Sequence, residues 1–236
     1  MQSLTSVLRN GVARFALACV VAFGVSTSVF AQSNRVNVEI SLTVDNFYAL
    51  FAVDPNTGLL TLIGSDPGPD DDLQWKTVET YRFSAPRNSY IYVIGRDVGI
   101  AAMFVSKTVF DNSTTVLTGV PNQFANWEVN TIYKRDISSD ITQPGAVLNW
   151  GGDWQAPAVG RFVVPQDATD IHPSFSQVEG ARFIWAQLGG EPFWGFEDYT
   201  GEGTALFRLQ VVPEPASLLA LGAGLAGLIR LRRRKR

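Results

Sequence analysis

Carboxylates gathered on one short turn are the residues best suited to chemistry in this sequence. The stretch "DPGPDDD" sets four aspartates among a glycine and two prolines. Hard oxygen ligands on a flexible loop suit Ca²⁺, although the spacing does not match the EF-hand loop. The alternative is a solvated acidic loop that keeps a sheet edge from pairing with other chains. The candidate calcium ligands are Asp66, Asp70, Asp71 and Asp72.

Aromatic residues provide a second kind of candidate site. The stretch "EPFWGFEDY" places aromatic rings among carboxylates on a loop that contains glycine. An exposed ring there would cover the C–H groups of a sugar while the carboxylates accept its hydroxyls; the alternative is that the rings belong to the core. The predicted ligand-binding residues are Trp194, Tyr199, Glu197 and Asp198, whereas Trp75, Trp127 and Trp185 are predicted to be core.

Residues for nucleophilic or zinc chemistry are sparse. The chain has one histidine, His172, and one cysteine, Cys19, and it contains no Gly-x-Ser-x-Gly elbow. A Ser-His-Asp unit or a catalytic zinc site is therefore not expected. Glycoside hydrolysis needs only two carboxylates, but the acids of this chain are expected mainly in turns rather than at strand ends around a cleft. We predict a protein that is not an enzyme.

Charge separates the middle of the chain from its ends. Residues 32–212 contain 11 of the 19 basic residues and 21 of the 22 acidic ones, a net charge near −10. Nucleic acids and anionic membrane surfaces attract basic patches, so neither is an expected partner of this region. About 180 residues are enough for one domain with its own core.

The middle region reads as a series of short strands. "RVNVEISLTV" and "TALFRLQVV" alternate apolar and polar residues without a break, as half-buried antiparallel strands do. Turn signals rich in glycine, proline and asparagine separate further apolar runs at 90–95, 101–109, 161–164 and 181–188, and "DPNTG" at 54–58 is predicted to close a hairpin. No stretch after residue 32 holds a helical period over three turns. We therefore predict an all-β, antiparallel two-sheet β-sandwich.

Both ends carry targeting features. Residues 1–31 combine arginines, an apolar run and small residues before Ala31, which is typical of a secretory signal peptide. Near the other end, 14 uncharged residues (216–229) would rise about 21 Å as a helix, which is short for a bilayer core of about 30 Å. The basic residues after this transmembrane helix place the C-terminus in the cytoplasm; they are Arg230, Arg232, Arg233, Arg234, Lys235 and Arg236.

The tail resembles the PEP-CTERM sorting signal of Gram-negative bacteria. The residues that carry this likeness are Pro213, Glu214 and Pro215, followed by the apolar run and the basic cluster. The resemblance implies recognition by exosortase, a membrane-embedded protease, and delivery to the cell surface or the exopolysaccharide matrix. The alternative is a plain single-pass anchor whose prolines begin the helix.

The middle region resembles galactose-binding-like jelly-roll domains of exported bacterial proteins. The likeness rests on "TVDNFYALF" (43–51), a tryptophan before "VETYRFSAPRNSYIYVIGRDVGIAAMFV" (78–105), "NWEV", "DWQAP" and "ARFIW". The late motif departs from the family's Trp-Ile-Trp, with phenylalanine at its first position. The resemblance implies a jelly-roll sandwich, often with a carbohydrate- or calcium-binding role.

Together these features predict three regions: a signal peptide at 1–31, a β-sandwich domain at 32–212 and a sorting tag at 213–236. The expected partners are the Sec translocon, signal peptidase, an exosortase-type protease and surface polysaccharide. We expect a non-catalytic exported protein of the cell surface or extracellular matrix that binds carbohydrate. The alternatives are a structural or adhesive envelope protein without a small ligand and a carboxylate-based glycoside hydrolase.

Overall fold

The fold is known from a computed structural model. It describes residues 34–66, 77–98, 102–134, 140–164, 173–186 and 203–212. From Arg35 onward these residues belong to one compact unit.

Strands dominate the described residues, and they form two antiparallel sheets that pack as a sandwich. Sheet A has the strand order β10-β11-β6-β1-β4, with β7 also paired to β6, and sheet B has the order β3-β2-β5-β12-β8-β9. A short helix, α1 (Pro144–Leu148), and a 3₁₀ helix (Pro173–Val178) accompany the sheets. The strands are β1 (Arg35–Asp45), β2 (Phe47–Val53), β3 (Leu60–Asp66), β4 (Glu79–Pro86), β5 (Tyr90–Asp97), β6 (Met103–Phe110), β7 (Thr114–Leu117), β8 (Glu128–Asn130), β9 (Trp154–Gln155), β10 (Ala158–Val163), β11 (Arg182–Trp185) and β12 (Gly203–Gln210).

The two strands whose sequences alternate most clearly between apolar and polar residues, β1 and β12, each have a neighbouring strand on both sides. β1 pairs with β4 and β6 in sheet A, and β12 pairs with β5 and β8 in sheet B. Alternate apolar side chains of both strands are almost completely buried, as the sequence predicts. They are Val36, Val38, Ile40, Leu42 and Val44 of β1, and Ala205, Phe207 and Leu209 of β12.

Aromatic side chains from both sheets meet in the core between them. The rings of Phe104 (β6) and Phe207 (β12) have centroids 4.9 Å apart, and Trp127 meets Phe104 edge-on at 4.9 Å. Trp185 lies 5.6 Å from Phe207. Trp127 and Trp185 are 3% and 0% exposed, which confirms that they are core residues; Trp75 lies outside the described residues.

A second, smaller core covers part of the outer face of sheet B. Ala49, Phe51, Ile94 and Leu206 point away from the main core, since their neighbours along each strand point into it. The segment that contains α1 lies over them with Ile141, Val147 and Trp150. Among the described residues, this cover extends over part of the outer face of sheet B.

The predicted hairpin between β2 and β3 is confirmed. The carboxylate of Asp54 accepts the backbone N–H groups of Asn56 and Thr57, and Gly58 adopts a positive φ of 71°. Asp and Gly at these positions suit such a turn because the carboxylate satisfies turn amides and glycine tolerates the left-handed region. The two-sheet sandwich is therefore confirmed; its assignment to the galactose-binding-like jelly rolls stays a prediction.

Candidate functional site

Next to the second core, the outer face of sheet B carries a cluster of half-buried aromatic and charged side chains. We call it the aromatic face, and its members are Tyr90, Tyr92, Glu128, Trp154 and Arg208. Rings that remain half exposed on a folded domain are the usual contact points for ligands with both apolar and polar surface.

Strand pairing brings these residues together from distant parts of the chain. Tyr90 and Tyr92 alternate on β5 with the buried Ile91 and Val93, so both rings point outward. Arg208 lies on β12 directly opposite Tyr92 on one side and directly opposite Glu128 of β8 on the other. Trp154 of β9 pairs with Asn130 of β8 and completes the set at the sheet edge.

The rings form a tilted row rather than a flat stack. The centroids of Tyr90 and Tyr92 are 6.1 Å apart at 44°, and those of Tyr92 and Trp154 are 6.3 Å apart at 53°. Tyr92 and Trp154 also pack against the second core. The row is thus anchored on its inner side, and its rings remain partly exposed among the described residues.

Arg208 occupies the centre of the aromatic face. Its guanidinium carbon lies 4.5 Å from the ring centroid of Tyr90 and 4.1 Å from that of Trp154. Its Nε donates a hydrogen bond to Oε2 of Glu128 at 2.6 Å. Two cation–π contacts and a charge-assisted hydrogen bond hold the guanidinium in one place. The polar edges of this group and of Glu128 are therefore fixed beside the rings.

Burial raises the pKa of the Tyr92 hydroxyl, the nearby Arg208 charge opposes that shift, and Tyr90 adds to it. The phenol is consequently a neutral hydrogen-bond donor and acceptor over the physiological pH range. Together with Gln210, which is exposed beside Tyr90 on the same face, it supplies neutral polar groups next to apolar rings. This arrangement can hold a sugar by ring stacking and by hydrogen bonds to hydroxyl groups.

Two other polar clusters lie elsewhere in the sandwich. Asp45 ends β1 and Asp97 ends β5, and both are buried, with 8% and 2% exposure. Burial first, and the charge of Asp97 second, raise the pKa of Asp45 to about 7. The sequence predicts acids mainly in turns, whereas Asp45, Asp66 and Asp97 each end a strand.

The third cluster lies between the sheets, near Asp66. The hydroxyls of Tyr48 and Tyr81 are 2.8 Å apart, and both donate to Oε2 of Glu79. Asp66 lies opposite Tyr48 on the neighbouring strand. Burial above all, with Glu79 and the charge of Asp66 adding to it, raises the pKa of Tyr81 to about 12. This cluster is a hydrogen-bonded link across the core.

Of the candidate residues from the sequence, the structure describes only Asp66. Among the described residues, no group of three or more His, Cys, Asp or Glu side chains is arranged to hold a metal ion. The remaining candidates lie outside the described residues: Asp70, Asp71 and Asp72 of the acidic loop, Trp194, Glu197, Asp198 and Tyr199 of the aromatic loop, the Pro213–Pro215 motif and the basic residues from Arg230 onward.

Sequence reasoning did not identify the aromatic face. The alternation of Tyr90 and Tyr92 along "YIYVIG" was visible and places both rings on one side of a strand. Nothing local shows that this side carries Arg208 and Trp154, since those partners come from strands 60 or more positions further along the chain.

Comparison with known proteins gives one match. Neither the curated proteins nor the solved structures provide a match to this chain. Within the part of the chain that the structure describes, no helix has the length and apolar character needed to cross a membrane. The scan of protein families, by contrast, matches the end of the chain, residues 211–235.

That match covers the proline-flanked glutamate, the apolar run and the basic cluster that the sequence reading singled out. It confirms the sorting tag, and such a signal implies export, a transient membrane anchor and processing by exosortase before release at the surface. The chain carries the PEP-CTERM protein-sorting motif at residues 211–235.

Proposed function

We propose that this exported, exosortase-sorted protein is a non-catalytic component of the cell surface or extracellular matrix, and that it binds polysaccharide through the aromatic face. The observation that carries the proposal is the fixed arrangement of the partly exposed Tyr90, Tyr92, Trp154 and Arg208 on the outer face of sheet B. The sorting motif supports delivery to the compartment in which surface polysaccharide is found.

The chemistry of the face suits a sugar better than a protein or nucleic acid partner. Half-buried rings stack against C–H groups, and Glu128, Tyr92 and Gln210 accept or donate hydrogen bonds to hydroxyls. A nucleic acid would need unpaired basic groups, but Arg208 is already paired with Glu128. The net charge near −10 of residues 32–212 also opposes a polyanion.

Binding of the purified full-length chain, in a non-ionic detergent, to immobilised surface polysaccharide tests the proposal. We expect Trp154→Ala to weaken binding about tenfold, the equivalent of about 1.4 kcal/mol. Leu59→Ala is the control, since Leu59 is an apolar side chain that is 66% exposed on the turn between β2 and β3. Circular dichroism of both variants checks that the strands are retained.

Equal binding of wild type and Trp154→Ala would place any carbohydrate site away from the aromatic face. Absence of binding to every polysaccharide tested would favour the structural or adhesive alternative. Hydrolysis that is abolished by a single carboxylate substitution would favour the glycosidase alternative.

Sorting is tested separately in cells. We expect Glu214→Ala to keep the chain at the inner membrane, whereas the wild-type protein reaches the surface without its basic C-terminus. Mass spectrometry of the surface material identifies the last residue. A surface protein that still ends in Arg236 would contradict the exosortase step.

A further inference from the structure

The sorting motif begins immediately beside a tightly held part of the sandwich. Val211 and Val212, the last two residues before Pro213, are 0% and 6% exposed and belong to the main core. Val211 donates its N–H to the carbonyl of Ser89 at 2.8 Å, and its own carbonyl accepts the N–H of Asn88 at 3.0 Å. The folded domain therefore extends to the residue that precedes Pro213.

The sequence itself ends this strand pairing at the motif. In an antiparallel ladder every second residue of a strand donates its N–H to a given neighbour, so the next donor after Val211 would be residue 213. Proline has no N–H and cannot donate. The main-chain bonds at Val211 are thus the last that this edge of the ladder can receive from the chain before the glutamate of the motif, Glu214.

The end of the domain is held by the turn between β4 and β5, which we call the exit turn (Pro86–Ser89). Ser89 bonds to the carbonyl of Pro86 through its N–H at 3.3 Å and through its hydroxyl at 2.7 Å. Asn88 adopts a φ of 62°, and its side chain is exposed. Because β4 belongs to sheet A and β5 to sheet B, both sheets hold the exit turn. A surface formed in advance loses little conformational entropy when a partner binds.

Covalent geometry keeps Glu214 close to the exit turn. Three peptide units separate Glu214 from Val211, so their Cα atoms are at most about 11 Å apart. Val211 lies about 5 Å from the exit turn, as paired residues of antiparallel strands do. A specific protein–protein contact buries about 800 Å² on each partner, which is a circular patch of about 16 Å radius. A protein that binds Glu214 with a contact of this size therefore also covers the exit turn.

We infer that the exit turn forms part of the surface that binds the membrane-embedded sorting protease. The inference rests on the processing step that the sorting motif implies, and it adds a contact made by the folded domain to recognition of the linear motif. The protease then meets a folded substrate at a fixed distance from the motif. The bilayer surface is the alternative occupant of the exit turn.

A change of spacing tests the inference in cells that produce an exosortase and the full-length chain. A spacer of six Gly and Ser residues between Val212 and Pro213 adds a root-mean-square distance of about 13 Å, which moves the exit turn out of the contact. We expect removal of the basic C-terminus, followed by pulse–chase, to slow about tenfold, as when a few well-packed interface side chains are lost. Unchanged or faster removal would overturn the inference, because the protease would then ignore the domain or be hindered by it.

A point variant removes the exposed side chain of the exit turn without changing its backbone. Asn88→Gly suits the turn because glycine tolerates a φ of 62°. We expect it to slow processing about threefold, which is typical of one interface side chain outside a hot spot. Asn149→Gly, the control, removes an exposed asparagine from the segment over the second core and should be processed at the wild-type rate. A wild-type rate in Asn88→Gly, or equal slowing in both variants, would overturn the inference.

Photo-crosslinking separates the protease from the bilayer. p-Benzoylphenylalanine in place of Arg87, on the exit turn, should crosslink the full-length precursor to an epitope-tagged exosortase. The same group in place of Val98 should not, since Val98 is exposed just beyond the other end of β5, about 30 Å along the strand from Ser89. Crosslinks to lipid alone, or equal crosslinks to the protease from both positions, would overturn the inference. A wild-type chain that is never processed would overturn the sorting step itself, and the inference with it.

Discussion

Among the described residues, a cross-strand arginine–glutamate pair lies on the outer face of each sheet, and the two pairs differ in their surroundings. On sheet A, Arg82 of β4 lies directly opposite Glu39 of β1, with Nε and Oε2 2.7 Å apart. On sheet B, Arg208 of β12 lies directly opposite Glu128 of β8 at 2.6 Å. The arginine side chains are 73% and 21% exposed, respectively.

The neighbours explain this difference in exposure. Around the sheet A pair, the outer face carries short polar side chains that bond to one another, such as Ser41 with Thr80 at 2.8 Å. Around the sheet B pair, the rings of Tyr90 and Trp154 enclose the guanidinium. Arg82 and Glu39 stay largely in water, whereas Arg208 and Glu128 lie beside half-buried rings that a ligand can cover. The same type of ion pair is therefore hydrated on sheet A, whereas on sheet B it helps to form the aromatic face.

The largest predicted difference concerns stability. Arg208→Ala should lower the free energy of unfolding by about 2 kcal/mol, because it removes two cation–π contacts and leaves Glu128 without its partner. Arg82→Ala should change it by at most about 0.5 kcal/mol, as exposed ion pairs do. Urea denaturation measures both. Equal effects of the two substitutions would show that the rings do not stabilise Arg208.

The next largest difference between the outer faces of the two sheets should be in polysaccharide binding. Tyr90→Ala should weaken polysaccharide binding about tenfold, or about 1.4 kcal/mol, because one end of the ring row is lost. Arg82→Ala, on the other face, should leave the dissociation constant unchanged. Biolayer interferometry on immobilised polysaccharide provides the measurement. Loss of binding in Arg82→Ala would instead place the site on sheet A.

Salt should reveal the different solvation of the pairs. Double-mutant cycles give the coupling energy between Arg82 and Glu39 and that between Arg208 and Glu128. In about 0.5 M NaCl the first coupling should fall close to zero, since exposed charges are screened. The second should keep more than about half of its low-salt value, because the rings shield the guanidinium from water and ions. Similar salt dependence of the two couplings would contradict this comparison.

The smallest expected effect is a change in the free energy of unfolding at alkaline pH. The pKa of Tyr92 is raised in the folded state, so the folded protein holds this proton more tightly than the unfolded chain. The associated stability is complete below the ordinary tyrosine pKa of about 10 and is lost as pH rises through the folded value. Wild type should therefore lose slightly more stability than Tyr92→Phe between about pH 9.5 and 11. Urea denaturation at several pH values compares the slopes, and parallel slopes would mean that burial does not affect the hydroxyl.

Local sequence determined the two-sheet class for a definite physical reason. Successive side chains of a strand point to opposite sides. The alternation from Val36 to Val44 therefore predicts which side is buried, whichever strands lie beside it. The turn at Asp54–Gly58 is local for the same reason, since its hydrogen bonds join residues two to four positions apart. The PEP-CTERM motif is likewise a linear sequence signal, so it can be identified without knowledge of the fold.

Strand order and register, in contrast, came only from the tertiary structure. Whether Arg208 meets Tyr90 and Trp154 depends on β12 lying between β5 and β8, and packing of the whole sandwich decides that order. The hydrogen bonds of Tyr48 with Glu79 and Tyr81 have the same origin, because they join strands of different sheets. Apolar–polar alternation and linear motifs are properties of the local sequence, whereas a site formed by several strands exists only after the strands have paired.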